Sequence, residues 1–244
     1  MKNALITGAT SEVGIEICKV LASNNINIII HYHTMDDIAL KLKEELESKY
    51  SIKCLCIKAD LTNEEDINNL VSSSLKEFKT IDILVNNAAL DLPNLFENKT
   101  KEEFNKVLDV NLIAPFLLSK LIGKEMIKNK YGKIINISST NGIDTYFPMC
   151  LDYDASKAGL ISLTHNLSME FKPYVNVNSI APGTIKTKKD MEDLDSDYIK
   201  EEESKIFKER FANPIEIAYL VEFLISDKAN YINNQVIRID GGMY

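Results

Sequence analysis

The chain alternates short, β-rich apolar runs with amphipathic stretches along almost its whole length. Several apolar runs have no polar residue at their centres, such as Ile-Ile-Ile at 28–30 and Ile-Leu-Val at 83–85. A strand covered on one face alternates polar and apolar residues, whereas a strand of a parallel sheet covered on both faces is apolar throughout. The pattern therefore predicts an α/β fold, with a doubly wound parallel sheet between two layers of helices.

The same pattern locates the elements. We predict strands over residues 3–7, 26–33, 53–60, 81–86, 132–139, 175–181 and 235–240. We predict helices over residues 12–24, 36–49, 63–78, 100–128, 153–171 and 213–226. At 244 residues and 45% hydrophobic, the chain can bury a full core, and we expect a single domain over residues 1–244.

Composition argues against several classes of function. The net charge of −8 disfavours nucleic-acid binding. No run approaches the roughly 20 apolar residues of a membrane span, and no leader pattern is present at the N-terminus. The four cysteines lack nearby histidine partners, so we expect reduced thiols and no metal site. These observations predict a cytoplasmic protein without membrane contact.

A tyrosine and a lysine indicate a site of proton transfer. If residues 153–171 form a helix, Tyr153 and Lys157 lie four residues apart on one face. A nearby ammonium favours the phenolate, so we expect Lys157 to lower the phenol pKa from about 10 towards neutrality. Ser139 ends a predicted strand at the sheet edge where ligands bind. The group suits carbonyl or alcohol chemistry, and the alternative is a surface pair on an ordinary helix.

A glycine turn follows the first predicted strand, in Thr7-Gly8-Ala-Thr-Ser-Glu-Val-Gly14. A turn of this kind, leading into a helix, presents backbone N–H groups and the positive end of the helix dipole to a pyrophosphate. Glycine turns after strands are common, but the position at the first strand–helix junction favours dinucleotide binding.

Other strand ends supply further candidates. Asp60 can accept from an adenine amino group, or it can cap the next helix together with Thr62. Small residues at 86–89 allow a cofactor to approach the backbone. Asn111 falls within a long predicted helix, where an amide more often packs or faces solvent. A Pro-Gly turn at 182–187 follows the sixth strand.

Taken in order, these motifs resemble the short-chain dehydrogenase/reductase family over essentially the whole chain. The matching sequences are TGxxxxxG, ADLT, NNAA, an Asn in the long helix, ISS, YxxxK, PGxIxT and a closing Ile-Asp-Gly-Gly. The resemblance implies a Rossmann-like sheet of seven parallel strands in the order 3-2-1-4-5-6-7. It also implies a nicotinamide cofactor across the carboxyl edge.

The resemblance further implies a catalytic set of Asn111, Ser139, Tyr153 and Lys157. Tyr153 would give its proton to the substrate carbonyl, and Ser139 would hold the carbonyl oxygen. Lys157 would also hold the cofactor ribose, and Asn111 would anchor a water of the proton relay. Ser138 is the rival for the serine role, but the spacing to the following glycine favours Ser139.

Cofactor-binding positions follow from the same resemblance. They are Gly8, Ala9, Thr10, Ser11, Val13, Gly14, Tyr32, His33, Asp60, Leu61, Asn87, Ala88, Tyr153, Lys157, Pro182, Gly183, Ile185 and Thr187. Two positions depart from the family pattern. Ala89 replaces the last glycine of NNAG, a small change. Glu12 replaces a second glycine and puts a carboxylate near the pyrophosphate, unless it faces solvent, so we expect weakened binding.

The end of the second strand bears on cofactor choice. Members that prefer NAD usually place an acid there for the ribose 2′-OH, and Tyr32 occupies that position. Without an acid, a 2′-phosphate is not repelled, and His33, Thr34 and Ser11 could bind it. We therefore predict NADP(H) rather than NAD(H).

Within the family, the chain most resembles the 3-oxoacyl-acyl-carrier-protein reductases. This implies a β-keto thioester substrate and an acyl carrier protein as a partner. Lys130 matches a basic position that contacts the carrier, and Lys172 lies near a second such position; Lys124, Lys128 and Lys133 extend the first cluster. A lysine-rich helix end is also a common solvated surface.

Other features favour other substrates. The loop at 143–152 brings apolar side chains near Tyr153 unless they fill the core: Tyr146, Phe147, Met149 and Leu151. Residues 188–209 are acidic and would repel an acidic carrier if they covered the site: Asp190, Glu192, Asp193, Asp195, Asp197 and Glu201 to Glu203. Sugars, steroids and small ketones therefore stay open as substrates, as does a non-catalytic dinucleotide sensor.

The resemblance also implies a homotetramer, assembled through the long helices and the C-terminal segment. The apolar run on the helix at 100–128 is compatible with such an interface: Leu112, Ile113, Phe116, Leu117 and Leu118. Burial against the protein's own sheet explains the run equally well.

Overall fold

The computed structural model describes residues 1–188 and 195–243. The strands are β1 (Asn3–Ile6), β2 (Asn27–Tyr32), β3 (Cys54–Lys58), β4 (Ile83–Asn86), β5 (Gly132–Ile137), β6 (Val175–Pro182) and β7 (Val236–Ile239). The helices are α1 (Glu12–Ser23), α2 (Asp36–Lys49), α3 (Glu64–Phe78), α4 (Lys101–Leu108), α5 (Ala114–Lys128), α6 (Leu151–Glu170), α7 (Ser196–Ser204) and α8 (Pro214–Ile225).

All seven strands pair in parallel, in the order β3-β2-β1-β4-β5-β6-β7. Helices cover both faces of this sheet. Ile28 and Ile30 pack into a core with α1, α2 and α8, whereas Ile29 packs into a second core with α3, α5 and α6. Burial on both faces explains why the strand centres are apolar without alternation. The predicted fold and strand order are confirmed.

The long helix predicted over 100–128 is instead two helices. A capping box at Thr100 begins α4, and a π-helical turn, Asp109–Ile113, joins α4 to α5. A π turn inserts one extra residue into the helix and commonly occurs at a functional position. Here the turn contains Asn111, which is 1% exposed.

A buried row of polar side chains connects the middle of the sheet to α6. The Asn86 amide of β4 donates to Asn136 Oδ1 of β5 at 2.8 Å, and the Asn136 amide donates to Thr164 Oγ1 at 2.8 Å. Thr164 then donates to the Leu160 carbonyl oxygen at 2.8 Å. Each donor has an assigned acceptor, so the row fixes the relative positions of β4, β5 and α6.

The parallel order brings the loops after the strands to one edge of the sheet. The chain winds from β1 out to β3 and then returns to β4, so the connections diverge between β1 and β4. Ligands of open α/β sheets bind at the crevice that such a reversal creates. Within the described ranges, no helix is long and apolar enough to cross a bilayer.

Candidate active site

A cleft of about 460 Å³ follows the carboxyl edge of the sheet, from the end of β2 to the end of β6. Most of the predicted site residues line it: Gly8, Thr10, Ser11, Val13, His33, Asp60, Leu61, Asn87, Ala88, Ser139, Tyr153, Lys157, Pro182, Gly183 and Ile185. Five predicted residues do not line it: Ala9, Gly14, Tyr32, Asn111 and Thr187. The cleft also includes His31, Leu90, Lys106 and Val110, which the motifs did not indicate.

The glycine turn is packed too tightly for side chains. Gly8 has φ +60°, and a Cβ there would lie 2.8 Å from Ala88 Cα. A Cβ on Gly14 would lie 2.3 Å from the Gly8 carbonyl oxygen. Ser11 caps α1 by accepting a hydrogen bond from Gly14 N at 3.1 Å. The cradle presents the N-terminal end of α1 to the cleft, and it therefore fits a pyrophosphate.

His31 supports the glycine turn through contacts of both ring nitrogens. Its Nδ1 accepts from Gly8 N at 3.1 Å, and its Nε2 lies 3.2 Å from the Ala59 carbonyl oxygen. The two contacts require a neutral ring that carries its proton on Nε2. Burial lowers the pKa of His31 to about 4. His31 thus links the pyrophosphate turn to the end of β3 as an uncharged group.

The structure corrects the expected role of Tyr32. Side chains alternate along a strand, so His31 and His33 lie on the cleft side, whereas Tyr32 packs on the side of α1 and α2. Its hydroxyl donates to Asp36 Oδ1 at 3.3 Å. His33 lies on the cleft with its Nε2 3.7 Å from Asp60 Oδ2.

Asp60 is not the cap of the following helix. Its Oδ1 accepts from Thr62 N at 2.9 Å and from Thr62 Oγ1 at 2.8 Å, and Asn63 caps α3. The hydrogen bond from the Thr62 backbone lowers the pKa of Asp60. The remaining carboxylate oxygen lies near His33, at the end of the cleft where the adenosine would bind.

Tyr153 and Lys157 share one face of α6, as their spacing predicts. The Lys157 ammonium lies 5.2 Å from the centroid of the Tyr153 ring and donates to the Ile137 carbonyl oxygen at 2.9 Å. Burial lowers the pKa of Lys157 to about 8.

The expected acidification of Tyr153 is wrong for the protein without ligand. Burial raises the pKa of Tyr153, the Asp91 carboxylate raises it further, and a hydrogen bond with Ser139 only partly opposes them. Desolvation of the phenolate is the largest cause of this shift. Neither the burial nor the proximity of Asp91 is visible in the YxxxK motif.

Hydrogen bonds distinguish the two candidate serines. Ser138 donates to the Ile180 carbonyl oxygen at 2.9 Å and accepts from Ser179 Oγ at 2.8 Å, so its hydroxyl is used in holding β6. Both serines line the cleft, but Ser139 Oγ makes only longer contacts, from Asn141 N at 3.2 Å and to Asn141 Oδ1 at 3.4 Å, and it is the serine that lowers the Tyr153 pKa. The geometry therefore favours Ser139 as the residue that would contact a substrate oxygen.

The side chain of Asn111 takes part in three hydrogen bonds. Its Oδ1 accepts from Leu90 N at 2.7 Å, and its Nδ2 donates to the Leu90 carbonyl oxygen at 2.9 Å and to Ser156 Oγ at 3.0 Å. These bonds hold the loop after β4 against α6. Both amide hydrogens and one lone pair of the amide oxygen are therefore used, which leaves the Asn111 side chain no donor for a relay water.

The loop after β4 contacts the loop that leads into α6. Asn94 N donates to the Met149 carbonyl oxygen at 3.0 Å. Tyr146 and Phe147 are 76% and 47% exposed, so the core-filling interpretation is wrong for both. Met149 is also exposed, and Leu151 is the first residue of α6. These groups therefore lie on or next to the loop that leads into the helix of Tyr153.

Glu12 does not simply face solvent. Its Oε1 accepts a hydrogen bond from Lys188 N at 2.7 Å, which ties the start of α1 to the segment after β6. Of the acidic residues expected to cover the site, Asp190, Glu192 and Asp193 lie outside the described residues. Asp195 caps α7, and Glu201 to Glu203 lie on α7.

The lysines proposed to contact a carrier lie far from Tyr153. Lys130 precedes β5 and Lys172 precedes β6, so both are at the amino edge of the sheet. Lys133 is buried, and its ammonium donates to Asn176 Oδ1 at 3.1 Å and Asn230 Oδ1 at 2.6 Å. The expected surface role of Lys133 is therefore wrong.

The parallel sheet, the glycine cradle and the Ser139, Tyr153 and Lys157 group on the cleft define an oxidoreductase that binds a nicotinamide dinucleotide and acts on carbonyl or alcohol groups. The chain belongs to the short-chain dehydrogenase family, whose sequence model, described as "short chain dehydrogenase", matches residues 2–197. The family predicted from the motifs is thereby confirmed.

Individual relatives support this assignment. The chain is 38% identical over 245 residues to 3-oxoacyl-(acyl-carrier-protein) reductase FabG of Aquifex aeolicus, covering 100% of this chain and 97% of that protein. It is 38% identical over 244 residues to the enzyme of that name from Rickettsia felis, covering 99% and 96%. A mutant short-chain dehydrogenase/reductase from Serratia marcescens superposes with a TM-score of 0.92 at 28% identity, covering 99% and 97%.

Proposed function

We propose that the protein is an NADP(H)-dependent 3-oxoacyl-acyl-carrier-protein reductase, which reduces a β-keto thioester to the 3-hydroxy form. The relatives of that name, 34–38% identical over essentially the whole chain, support the substrate class. The observation that carries the reaction is the half-buried Tyr153, which lines the cleft together with Ser139 and Lys157.

In this proposal the cofactor supplies a hydride to the carbonyl carbon. The glycine cradle would hold its pyrophosphate, Asp60 the adenine, and Lys157 the nicotinamide ribose. Ser139 would donate a hydrogen bond to the carbonyl oxygen, and Tyr153 would transfer its proton to that oxygen as the C=O double bond becomes a single bond. The alcohol gains one C–H and one O–H bond.

The protonation states suit a proton donor. Because burial raises the pKa of Tyr153, the phenol keeps its proton at neutral pH in the free protein. Lys157, with a pKa of about 8, is still mostly an ammonium at pH 7. The lysine would then stabilise the phenolate that forms when the proton has left.

Coenzyme preference rests on the end of β2. His33, Thr34 and Met35 line this part of the cleft, and the nearest following acid, Asp36, is bonded to Tyr32 and to the Lys58 ammonium at 3.1 Å. A 2′-phosphate would therefore meet an imidazole and a hydroxyl. We expect a lower KM for NADPH than for NADH in parallel assays, and a clear NADH preference would contradict the proposal.

Carrier docking would require more than one copy. Helix α6 has 20 residues and is about 30 Å long, with Tyr153 near one end and Lys172 beyond the other. A carrier bound at Lys130 and Lys172 would therefore more readily serve the site of a neighbouring subunit. We therefore propose a homotetramer of cytoplasmic, single-domain subunits, for whose contacts Ile113 and Phe116 are exposed.

Two measurements test this part of the proposal. Light scattering at micromolar concentration should give a tetramer, and a monomer would contradict it. Replacing Lys130 and Lys172 by glutamate should raise KM for the carrier-linked substrate while leaving KM for a small acetoacetyl thioester unchanged. An equal effect on both substrates would argue against carrier docking at these lysines.

A second candidate is a reductase of another hydrophobic ketone. The exposed Tyr146 and Phe147, on the loop that leads into α6, and the carboxylate of Asp91 beside Cys150 favour an uncharged, partly apolar substrate. A panel of acetoacetyl thioesters, ketones, sugars and steroids, followed by NADPH absorbance, separates the two. Tight dinucleotide binding without turnover on any member would instead indicate a non-catalytic sensor.

A further inference from the structure

We propose that Glu12 is a positioning residue for the dinucleotide. Its carboxylate anchors the strap formed by residues 182–188 across the cleft and slows the release of bound cofactor. The proposal requires nicotinamide dinucleotide binding, but it does not depend on which carbonyl compound is the substrate.

The course of the chain places this strap over the cleft. It leaves the sheet at Pro182, the last residue of β6, and reaches Glu12, which begins α1 directly after the β1 turn. Strands β4 and β5 lie between β1 and β6, so the two ends are three strand spacings apart, or about 14 Å. Six extended residues span about 20 Å. The strap can therefore cross the carboxyl ends of β4 and β5, where the dinucleotide would lie.

Hydrogen bonds hold the strap near its middle and at its far end. Near its middle, Lys186 N donates to the Ala212 carbonyl oxygen at 2.8 Å, and Ala212 N donates to the Thr184 carbonyl oxygen at 3.0 Å. Ile185, which lies between these two bonds, lines the cleft. At the far end, Lys188 N donates to Glu12 Oε1 at 2.7 Å, so Glu12 ties the end of the strap to the start of α1, beside the glycine turn.

The negative charge of Glu12 opposes cofactor binding, whereas its hydrogen bond to the strap favours it. The positive end of α1 attracts the Glu12 carboxylate, but the same end would bind the pyrophosphate, which repels a neighbouring anion. Glycine at this position, usual in the family, avoids that repulsion. The hydrogen bond to Lys188 gives the carboxylate a compensating role, and the two effects can be separated by changing the charge and the acceptor independently.

The test is the dissociation rate of NADPH, measured by stopped-flow displacement without any substrate. Glu12→Gln removes the charge and keeps an acceptor oxygen, so release should be as slow as in the wild type or slower. Glu12→Ala removes both, and release should be about 5- to 10-fold faster, as expected for the loss of one charge-assisted hydrogen bond. Thermal unfolding of each variant confirms that it is folded.

Two further variants complete the design. Lys188→Pro removes the donor N–H and leaves Glu12 in place, so it should match Glu12→Ala, and combining the two should add nothing more. Glu16→Gln changes the same charge one turn further along α1, where the carboxylate faces the Lys19 ammonium at 3.4 Å, and should release NADPH at the wild-type rate. Unchanged or slower release in Glu12→Ala would overturn the proposal, because the carboxylate would then only repel.

Discussion

The carboxylate of Asp91 lies 3.4 Å from Cys150 Sγ, at the residue that caps the catalytic helix α6. The chain fixes Asp91 from both sides. Leu90 is bonded twice to Asn111, and the Leu92 carbonyl oxygen accepts from Lys99, which also forms a buried ion pair with Asp152 at 2.9 Å. Asp91 therefore stays close to the catalytic tyrosine.

Replacing Asp91 by asparagine should change the pH profile of reduction. The neighbouring charges that act on Tyr153 are Asp91 and Asp154, which raise the phenol pKa, and Lys157. Without the Asp91 carboxylate, the phenolate is less disfavoured, so the alkaline limb of kcat/KM should move to lower pH by about one unit. Cys150→Ala keeps the carboxylate and should leave the limb in place; an equal shift in both variants would assign the effect to packing.

Removing the Tyr153 hydroxyl should separate binding from turnover. In Tyr153→Phe we expect kcat to fall by about 10²- to 10⁴-fold, the usual contribution of a general acid, because no proton reaches the substrate oxygen. The Kd for NADPH, measured by calorimetry, should stay within about 2-fold of the wild type. Wild-type turnover in this variant would refute the assigned role.

Lys157 should contribute to activity at a cost in stability. Its pKa falls from 10.5 to about 8 in the folded protein, so the unfolded chain binds more protons between these values and stability should rise with pH there. Below pH 8 the buried ammonium opposes folding. Lys157→Met should therefore raise the free energy of unfolding by about 1–3 kcal/mol, after the loss of the Ile137 hydrogen bond. Urea unfolding measures this gain, and activity should be lost; a less stable variant would contradict the prediction.

His31 should make the protein sensitive to acid. Its pKa is lowered from 6.5 to about 4 by burial, so the unfolded chain binds more protons between these values. Stability should then be complete above pH 6.5 and decrease as pH falls towards 4, by about 3 kcal/mol from this residue. Urea unfolding at pH 7 and pH 4.5 measures the difference. His31→Gln should reduce this pH dependence, and an unchanged dependence in that variant would contradict the prediction.

The strands could be predicted because burial on both faces leaves a direct record in the sequence. Runs such as 28–30 and 83–85 have no polar residue, and the glycines that approach other backbone atoms, Gly8 and Gly14, are visible as a motif. The order of the motifs also identified the family. These features depend on residue type alone, which is why they were accessible without coordinates.

Other features depend on which distant groups meet in space. The π turn around Asn111 leaves the apolar periodicity on either side almost unbroken, so the sequence showed one helix. The sequence around Lys133 suggests a surface residue, because its hydrogen-bond acceptor Asn230 lies far along the chain. The raised pKa of Tyr153 reflects burial and Asp91, neither of which is local to the YxxxK motif. Counting alternate residues along β2 from Ile28 would have placed Tyr32 on the face of the sheet that packs against α1 and α2.

The amide row through Asn86, Asn136 and Thr164 has a consequence for how the active centre is aligned. A shift of one residue in the register of β4 and β5 would leave buried amide groups without acceptors, at a cost of about 1–3 kcal/mol for each group. The row ends on the Leu160 carbonyl, one turn beyond Lys157 on the same helix. The rotation of α6 about its own axis therefore depends on hydrogen bonds inside the sheet. Mutations deep in the core can consequently misorient Tyr153 without changing any residue of the cleft.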